Sequence, residues 1–286
     1  MSAPDETLLD HLRQQALTTH QRCEKLLAGK QPLSSKEVHA LRVASKRLRA
    51  DWQVLKPLLK DNLAEEANRA LRDAAASLRQ ARDLKVMADT LQKLAEQARG
   101  KDTRQALGDG YQQLFAELPD TAVVAKKSAS LRAAFEQDRE RWQTLELKIP
   151  DRRLRQHGVG RLYEKAFKLA RAAEKSGDVK HWHRNRKWVK YLGYSHFLLN
   201  TETRALLSHQ LVTALGKMLG ELHDIHCLIE YVKEQKDTFA SEDAAAYLIH
   251  HLRVAEGRLQ ARCEKQAQKL FLLSPPKFEE ALKSSS

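Results

Sequence analysis

Histidine, arginine and lysine recur at one spacing in two parts of this 286-residue chain. Residues 39–46 carry the pattern His-x2-Arg-x3-Lys, and residues 183–190 repeat it. At about 100° per residue, these side chains share one face of a helix. Guanidinium groups pair with anionic oxygens through two hydrogen bonds, and lysine adds a mobile positive charge. The repeated pattern therefore predicts two cationic stripes that bind an anion.

A second shared block follows each stripe about forty residues later. Residues 78–83 read Leu-Arg-Gln-Ala-Arg-Asp, and residues 219–224 read Leu-Gly-Glu-Leu-His-Asp. The common order of the blocks predicts an internal repeat of two similar helical halves. Like charges at helical spacing destabilise a helix by a few tenths of a kcal/mol per pair. Residues 180–190 nevertheless hold five Lys or Arg residues and no acidic residue, which favours an anionic ligand over an ordinary solvated surface.

The rest of the chain reads as helix. It contains 11 Gly and 7 Pro, long Ala-, Leu-, Arg-, Lys- and Glu-rich stretches and no alternating strand pattern, so we expect an all-α protein. Ser34 and Asp178 are predicted N-caps. Helix breaks are predicted at Gly29–Ser35, Gly100–Thr103, Pro119–Thr121, Pro150–Asp151, Ser176–Asp178 and Ser274–Pro276.

One domain over residues 1–286 is expected, with a first helical half at 5–149 and a second at 150–272. Residues 273–286 are expected to form a frayed tail or a short extra turn. Apolar residues opposite the stripes predict the buried faces. The first face comprises Leu41, Ala44, Leu48, Trp52 and Leu55, and the second comprises Trp188, Val189, Leu192 and Leu199.

Composition narrows the class of protein. Lys plus Arg is 50 against 37 for Asp plus Glu, a net charge of +13 that favours polyanionic partners. Three scattered cysteines suit neither a disulfide framework nor a zinc site, and we expect buried thiols in a reducing compartment. No window approaches the ~18 apolar residues of a membrane span, and the N-terminus lacks the apolar run of a signal peptide. A soluble cytoplasmic protein is expected.

Five segments together resemble a known family, the CHAD domain (conserved histidine α-helical domain), and occur in its order. The resemblance extends over roughly residues 5 to 272. The segments are VHALRVASKRLRA (38–50), LRQARDLKV (78–86), GVGRLYEKAFKLA (158–170), HWHRNRKWVKYLGY (181–194) and LGKMLGELHD (215–224).

The resemblance implies two four-helix-bundle halves related by an internal pseudo-twofold repeat, with a basic central groove. It also implies non-catalytic binding of inorganic polyphosphate, no cofactor, and a location on polyphosphate granules. A stand-alone CHAD domain is expected.

The family's binding positions carry over residue by residue. In the first half they are His39, Arg42, Lys46, Arg47, Arg49, Arg79 and Arg82. In the second half they are Arg161, Lys165, His183, Arg186, Lys187, Lys190, Tyr194 and His223. Lys168 is added from helical spacing alone. Gly193 stands where the family usually has Arg, and Glu164 where a basic residue is common. These departures predict either a weaker second half or a charge supplied by a neighbouring residue.

The side chains are expected to line one continuous groove and to bind the anion in different ways. Guanidinium pairing with phosphate oxygens is expected of Arg42, Arg49, Arg82 and Arg186. Adaptable charge is expected of Lys46, Lys165, Lys187 and Lys190. The histidines His39, His183 and His223 are expected to donate hydrogen bonds, more strongly as imidazolium at mildly acidic pH. Asp83 and Asp224 are expected to pair with a neighbouring Arg or His, either orienting it for the ligand or as a simple structural ion pair.

Two other functions remain open at this point. A metal-dependent phosphohydrolase acting on phosphoanhydrides is supported only by His223-Asp224 and the twelve histidines. The sequence has no Gly-rich phosphate loop and no carboxylate cluster, and the His181/His183 and His250/His251 pairs lack the spacing of helical metal ligands. Non-specific nucleic-acid binding is permitted by the net charge, although aromatic residues are only 6% of the chain. Weak competing binding to nucleic acid is therefore expected.

Overall fold

A computed structural model shows how the chain folds. It describes residues 6–29, 32–76, 78, 80–116, 129–235 and 242–284, without the side chains of residues 80–84 and 284. The elements within these residues are helical, which confirms the predicted all-α class. None of the described helices is long and apolar enough to cross a membrane.

The helices alternate with short connections. They are α1 (Leu8–Ala28), α2 (Ser35–Leu55), α3 (Leu63–Ala76), α4 (Gln80–Gln97), α5 (Lys101–Ala116), α6 (Ala129–Thr144), α7 (Asp151–Arg153), α8 (Gly160–Ser176), α9 (Val179–Tyr194), α10 (Thr201–Leu206), α11 (His209–Glu234), α12 (Glu242–Leu270) and α13 (Pro275–Ser284). Short 3-10 helices at Lys56–Leu58 and His196–Leu198 follow α2 and α9, and a π-helix at Leu154–Val159 joins α7 to α8.

Both predicted N-caps are confirmed. Ser34 and Glu37 form a capping box at the start of α2, in which the Glu37 carboxylate accepts a hydrogen bond from the Ser34 amide. Asp178 accepts a hydrogen bond from the Lys180 amide at the start of α9. The predicted breaks in the described residues coincide with helix ends, whereas the break at 119–121 lies outside the described residues. The two stripe helices therefore begin at fixed positions.

Helices α1, α2, α3 and α6 pack around a common core. Helix α1 contacts α2 and α6, and α3 also contacts both α2 and α6. The predicted apolar face of α2 is buried here, and Trp52 packs on Trp142 with ring centroids 4.5 Å apart. The buried Asp138 carboxylate accepts hydrogen bonds from Trp52 Nε1 (2.8 Å) and pairs with His20 Nε2 (2.9 Å). Polar and apolar contacts thus hold the first stripe helix rigidly.

The remaining helices surround α9 and α11. Helix α9 packs against α8, α11 and α2, while α11 packs against α12 and α4. Helices α4 and α5, which belong to the first sequence half, pack on α11 and α12. The α4–α5 hairpin therefore links the two sequence halves, and the pseudo-twofold relation between those halves stays a prediction.

A glycine permits the close crossing between α2 and the π-helix. A Cβ atom at Gly158 would lie 2.6 Å from Val54 Cγ1 and 2.8 Å from the Val54 carbonyl oxygen. A side chain cannot fit there without backbone movement. The contact holds the start of α8 against α2, close to the functional surface.

The C-terminal segment differs from its expected form. Residues 275–284 form helix α13 rather than a frayed tail, with Phe278 and Leu282 buried. Phe278 stacks on Tyr163 at a centroid distance of 4.0 Å. Two aromatic rings and a leucine bury enough apolar surface to hold the helix in place.

The three cysteines are free thiols. Cys23 and Cys263 are buried as expected, and burial raises the pKa of each thiol to about 12. Cys227 is half-buried, with its Sγ atom 3.6 Å from His223 Nε2.

Candidate functional site

Arg186 of the α9 stripe joins Arg42, Lys46 and Arg49 of α2 at a cleft of about 500 Å³, here called the central cleft. Its walls come from α2, α3, α4, α9 and α11. The basic side chains that line it are Arg42, Lys46, Arg49, Arg72, Arg186 and His223. Five of these were predicted from the sequence, so the fold brings Arg186 of the second stripe to the first stripe.

Helix α3 orients two guanidinium groups of the first stripe. Arg42 Nη1 donates a hydrogen bond to the carbonyl oxygen of Ala75 at 3.1 Å. Arg49 Nε donates to Asn68 Oδ1 at 3.0 Å. The Arg49 bond uses one of the five N–H donors of its guanidinium group, so it fixes the orientation while leaving capacity for an anion.

Two acidic residues lie in the same cleft. Asp73 accepts a hydrogen bond from Arg72 Nε at 2.9 Å, and both side chains are exposed. Asp224 lines the cleft beside the cations of α2 and α9, and its expected pairing with an Arg or His stays a prediction. The Asp83 side chain lies outside the described residues. Cations outnumber carboxylates along the cleft, which keeps it suited to an anion.

A second basic surface, the α8–α9 cleft, has a volume of about 650 Å³. Its lining residues are Lys165, Lys168, Leu169, His183, Arg184, Lys187 and Trp188. Glu164 forms an ion pair with Lys168 (Nζ–Oε1 2.5 Å), so the acidic departure from the family pattern offsets a charge on its own helix.

Lys187 connects the α8–α9 cleft with the central cleft. Burial lowers its pKa below the usual lysine value, and the neighbouring charges of Arg49, Arg161 and Arg72 lower it further. Since Arg49 and Arg72 line the central cleft, Lys187 lies within electrostatic range of both surfaces. An anion bound at this junction would offset the positive charges of Lys187, Arg49 and Arg72.

Trp188 lies at the boundary of the core rather than inside it. The ring is half-buried and packs against core residues, which agrees in part with the predicted apolar face. Its ring also lies 4.8 Å from Lys187 Nζ and 5.5 Å from Arg161 Cζ. The indole therefore supports two cations of the site by cation–π contact, a role that the sequence analysis missed.

Arg161 is turned toward protein groups. Its Nη1 donates to the carbonyl oxygen of Gln53 at 3.0 Å, and its Nη2 lies 3.3 Å from Gln53 Oε1. Burial is the main cause of its lowered pKa. Arg161 thus ties α8 to α2 beside the clefts.

A third basic surface, the α9–α11 cleft, has a volume of about 760 Å³. It contains Arg47, Lys190 and Tyr194, which the sequence predicted as binding residues, together with Arg204, His209 and Lys217, which it did not. The Arg47 guanidinium lies 5.6 Å from the centre of the Tyr194 ring. Burial raises the pKa of the Tyr194 hydroxyl, so Tyr194 stays a neutral donor.

Three histidines cluster behind the central cleft. The His183 ring centroid lies 5.0 Å from that of His223 and 4.5 Å from that of His226. His226 Nδ1 is in turn 3.0 Å from Glu256 Oε1. The imidazoles thus lie edge to face between α9, α11 and α12.

Burial and nearby cations keep two of these histidines neutral. Burial is the largest cause that lowers the pKa of His183 to about 4 and of His223 to about 3. Arg186 lowers both further, and Lys46 acts on His223. Burial therefore disfavours the expected imidazolium forms of His183 and His223 in the free protein, and their stronger binding as imidazolium stays a prediction.

Two of the predicted residues with described side chains, His39 and Arg161, are not among the residues lining the three clefts. His39 is exposed near the start of α2. Arg79 lies outside the described residues, as does the side chain of Arg82.

The structure also adds residues that sequence reasoning missed. They are Arg72, Arg184, Arg204, His209, Lys217 and His226. His226 follows His223 at i+3 on one helix face and so had a detectable signal. Arg204, His209 and Lys217 had none, because only the tertiary fold brings them to α9.

The histidine cluster does not have the arrangement of ligands that a metal site requires. Within the described part of the chain, no group of three or more His, Cys, Asp or Glu side chains is placed to hold a metal ion.

Comparison with known proteins identifies the family of this chain. No curated protein matches the chain. The family model of the CHAD domain matches residues 10–205, which is more than half of the 286 residues. The match includes both stripe helices and ends before α11, so it does not extend to the block that contains His223. The chain therefore belongs to the CHAD domain family.

Proposed function

We propose that this protein binds inorganic polyphosphate along its cationic clefts without cleaving it. The observation that carries the proposal is the convergence of Arg42, Lys46 and Arg49 of the first stripe with Arg186 of the second in the central cleft. Membership of the CHAD family is consistent with polyphosphate binding. A cytoplasmic location at polyphosphate granules belongs to this proposal.

The arrangement suits a long anion better than a single phosphate. The α8–α9 cleft adjoins the central cleft through Lys187, which feels the charges of Arg49 and Arg72. The α9–α11 cleft adjoins it through Tyr194, whose pKa responds to both Arg47 and Arg186. Positive charge therefore continues around α9, and a polymer with about one negative charge per phosphate can follow it.

The expected driving force is electrostatic. Each lysine or arginine that neutralises a phosphate releases condensed counterions, so affinity falls steeply as salt rises. Arginine contributes directional pairs of hydrogen bonds, and lysine contributes a mobile charge. Binding of this kind reads the backbone of the polymer and needs no bond-breaking group.

Isothermal titration tests the proposal. Long-chain polyphosphate, duplex DNA and orthophosphate are titrated at one salt concentration into wild type and into Arg42→Ala/Arg186→Ala. The matched control is Arg99→Ala/Arg152→Ala, which removes two exposed guanidinium groups away from the clefts. Phosphate release is assayed in parallel, with and without divalent metal.

The proposal predicts tight binding of polyphosphate that only the first variant loses, with no release of phosphate. Equal affinity for DNA at the same salt would favour a nucleic-acid-binding protein instead. Metal-dependent release of phosphate would favour a phosphohydrolase. Equal losses in both variants would show that net charge alone attracts the polymer.

A further inference from the structure

The α9–α11 cleft has a different charge balance from the central cleft. Four cationic side chains line it, namely Arg47, Lys190, Arg204 and Lys217, and His209 adds an imidazole. None of the described residues that line it is acidic. By contrast, Asp73 and Asp224 both line the central cleft. The α9–α11 cleft therefore suits an anionic group of higher charge density.

The cations of this cleft are held by different elements. Arg204 Nη2 donates to the carbonyl oxygen of Phe197 at 2.9 Å, which ties α10 to the preceding 3-10 helix. Lys217 is exposed on α11 and has no hydrogen-bond or ion-pair partner among the described residues. His196 Nε2 lies 2.7 Å from the carbonyl oxygen of Leu207, which braces the turn before α11. The positions of Arg204 and His209 thus follow from a braced connection.

The cleft is also more enclosed than its neighbour on the other side of α9. Its walls come from α1, α2, α9, the 3-10 helix His196–Leu198, α10 and α11. The α8–α9 cleft, by contrast, is lined by two helices alone. Tyr194 and Phe197 add aromatic walls to the α9–α11 cleft. Six elements therefore contribute to the α9–α11 cleft, whereas two helices line the α8–α9 cleft.

Positive charge decreases beyond the α9–α11 cleft. The adjoining cleft, of about 340 Å³, shares Gln15, Arg47 and Phe197 with it. The other residues of that cleft are His11, Gln14, Thr18, Thr19 and Arg22. Arg22 is the one cation in this second set, so the cationic path loses most of its charge past Arg47.

We propose that the α9–α11 cleft binds the terminal phosphate of a polyphosphate chain whose interior lies in the central cleft. This inference rests on the proposed function. A terminal phosphate, like a phosphate monoester, has three acceptor oxygens and a charge of about −1.5 to −2 at pH 7. An internal phosphate carries about one negative charge. A cleft with four cations and no acidic lining residue, next to a cleft that adds only one further cation, matches the end group better than the interior.

End-blocked polyphosphate tests the inference. Two samples of one defined chain length are titrated into wild type, the first with free ends and the second with both terminal phosphates esterified to a neutral alcohol. We expect the esterified sample to bind about tenfold more weakly, a difference of about 1.4 kcal/mol. Equal affinity for the two samples would overturn the inference.

The double variant Arg204→Ala/Lys217→Ala locates the effect. It is expected to bind both samples equally, at the affinity that wild type has for the esterified sample. The matched control Arg152→Ala/Lys269→Ala removes the same two residue types from exposed positions outside the clefts, and it is expected to keep the tenfold preference. Circular dichroism confirms that each variant is folded, and Lys217→Ala alone keeps the Arg204 hydrogen bond as a second, milder test.

Failure of this inference is distinguishable from failure of the proposed function. If wild type binds neither sample, the proposed function fails and the inference fails with it. If wild type binds both samples equally and Arg42→Ala/Arg186→Ala binds neither, the proposed function stands and the terminal-phosphate site is wrong. A preference for free ends that persists in Arg204→Ala/Lys217→Ala would place the end group elsewhere.

Discussion

The stripes on α2 and α9 have the same residue spacing but different surroundings. In the first stripe, His39 is exposed and Arg42 is held by the Ala75 carbonyl oxygen of α3. In the second, His183 lies among His223 and His226, and burial lowers its pKa to about 4. The repeated pattern thus fixes where cations stand, whereas neighbouring helices decide which groups are charged and how firmly they are held.

The arginines allow the largest test of this comparison. Arg42 and Arg186 occupy equivalent stripe positions and line one cleft. Removing a charge-assisted hydrogen bond costs about 1.5–3 kcal/mol, so Arg42→Ala and Arg186→Ala are each expected to weaken polyphosphate binding by about tenfold to a hundredfold. Titration calorimetry measures both. A loss in only one variant would show that a single stripe carries the binding.

Replacing these two arginines by lysine then separates the effect of the positive charge from the effect of directional hydrogen bonds. Arg42→Lys and Arg186→Lys keep the charge but lose the planar fork. We expect each to recover less than half of the binding free energy lost in the corresponding alanine variant. Full recovery would mean that the two guanidinium groups act as point charges.

The histidines sharpen the comparison through pH. The unfolded-state pKa of histidine is about 6.5, whereas the folded values are about 4 for His183 and about 3 for His223. The unfolded chain therefore binds more protons, so these groups lower stability as pH falls from 6.5 toward the folded pKa values. Between pH 7 and 5 we expect the melting temperature to fall more in wild type than in His183→Gln/His223→Gln.

The exposed histidine of the other stripe supplies the control. His39→Gln makes the same substitution at an exposed position of the first stripe, outside the buried histidine cluster. Since pH 5 lies about 1.5 units below the unfolded pKa and above both folded values, each buried histidine is expected to cost about 2 kcal/mol there. The profiles of wild type and His183→Gln/His223→Gln are therefore expected to differ by roughly 8–16 °C at pH 5. Parallel profiles in wild type and both variants would show that the cluster is protonated without strain.

The lysines offer a smaller test of whether both stripes touch the polymer. Lys46 and Lys190 are stripe equivalents on α2 and α9. If each neutralises one phosphate, Lys46→Gln and Lys190→Gln will each reduce the slope of log affinity against log salt by about 0.7–0.9. Titrations at several salt concentrations measure the slope. An unchanged slope for either variant would place that lysine off the path of the polymer.

The two stripes show which features of the fold and of the site could be predicted from the sequence alone. Spacing predicted the cationic faces of α2 and α9, the caps Ser34 and Asp178 and the buried face around Trp52, because all of these depend on local periodicity. It did not predict that Arg204 and Lys217 would join Lys190, since only tertiary packing brings α10 and α11 beside α9. Spacing also did not predict the protonation states of His183 and His223, because their desolvation depends on their neighbours in space.

Helix α13 is a further element that local sequence composition did not predict. The segment SPPKFEEALKSSS has two adjacent prolines and a serine-rich end, so its composition resembles a tail. Its two buried side chains, Phe278 and Leu282, are stabilised by contact with α8 through Tyr163. A pattern of two apolar residues four positions apart is too short to reveal a partner more than a hundred residues away.

Trp188 provides the smallest expected effect and separates core packing from support of the binding surface. Its ring packs on the core and also contacts Lys187 and Arg161. Cation–π contacts at such sites contribute about 0.5–1 kcal/mol, more for Trp than for Phe. Trp188→Phe is therefore expected to weaken polyphosphate binding by less than about fivefold. Trp188→Leu removes the π face and is expected to weaken binding further at similar stability. If thermal melting shows a large loss of stability with unchanged affinity, Trp188 serves the core and the cations of α8 and α9 are positioned without it.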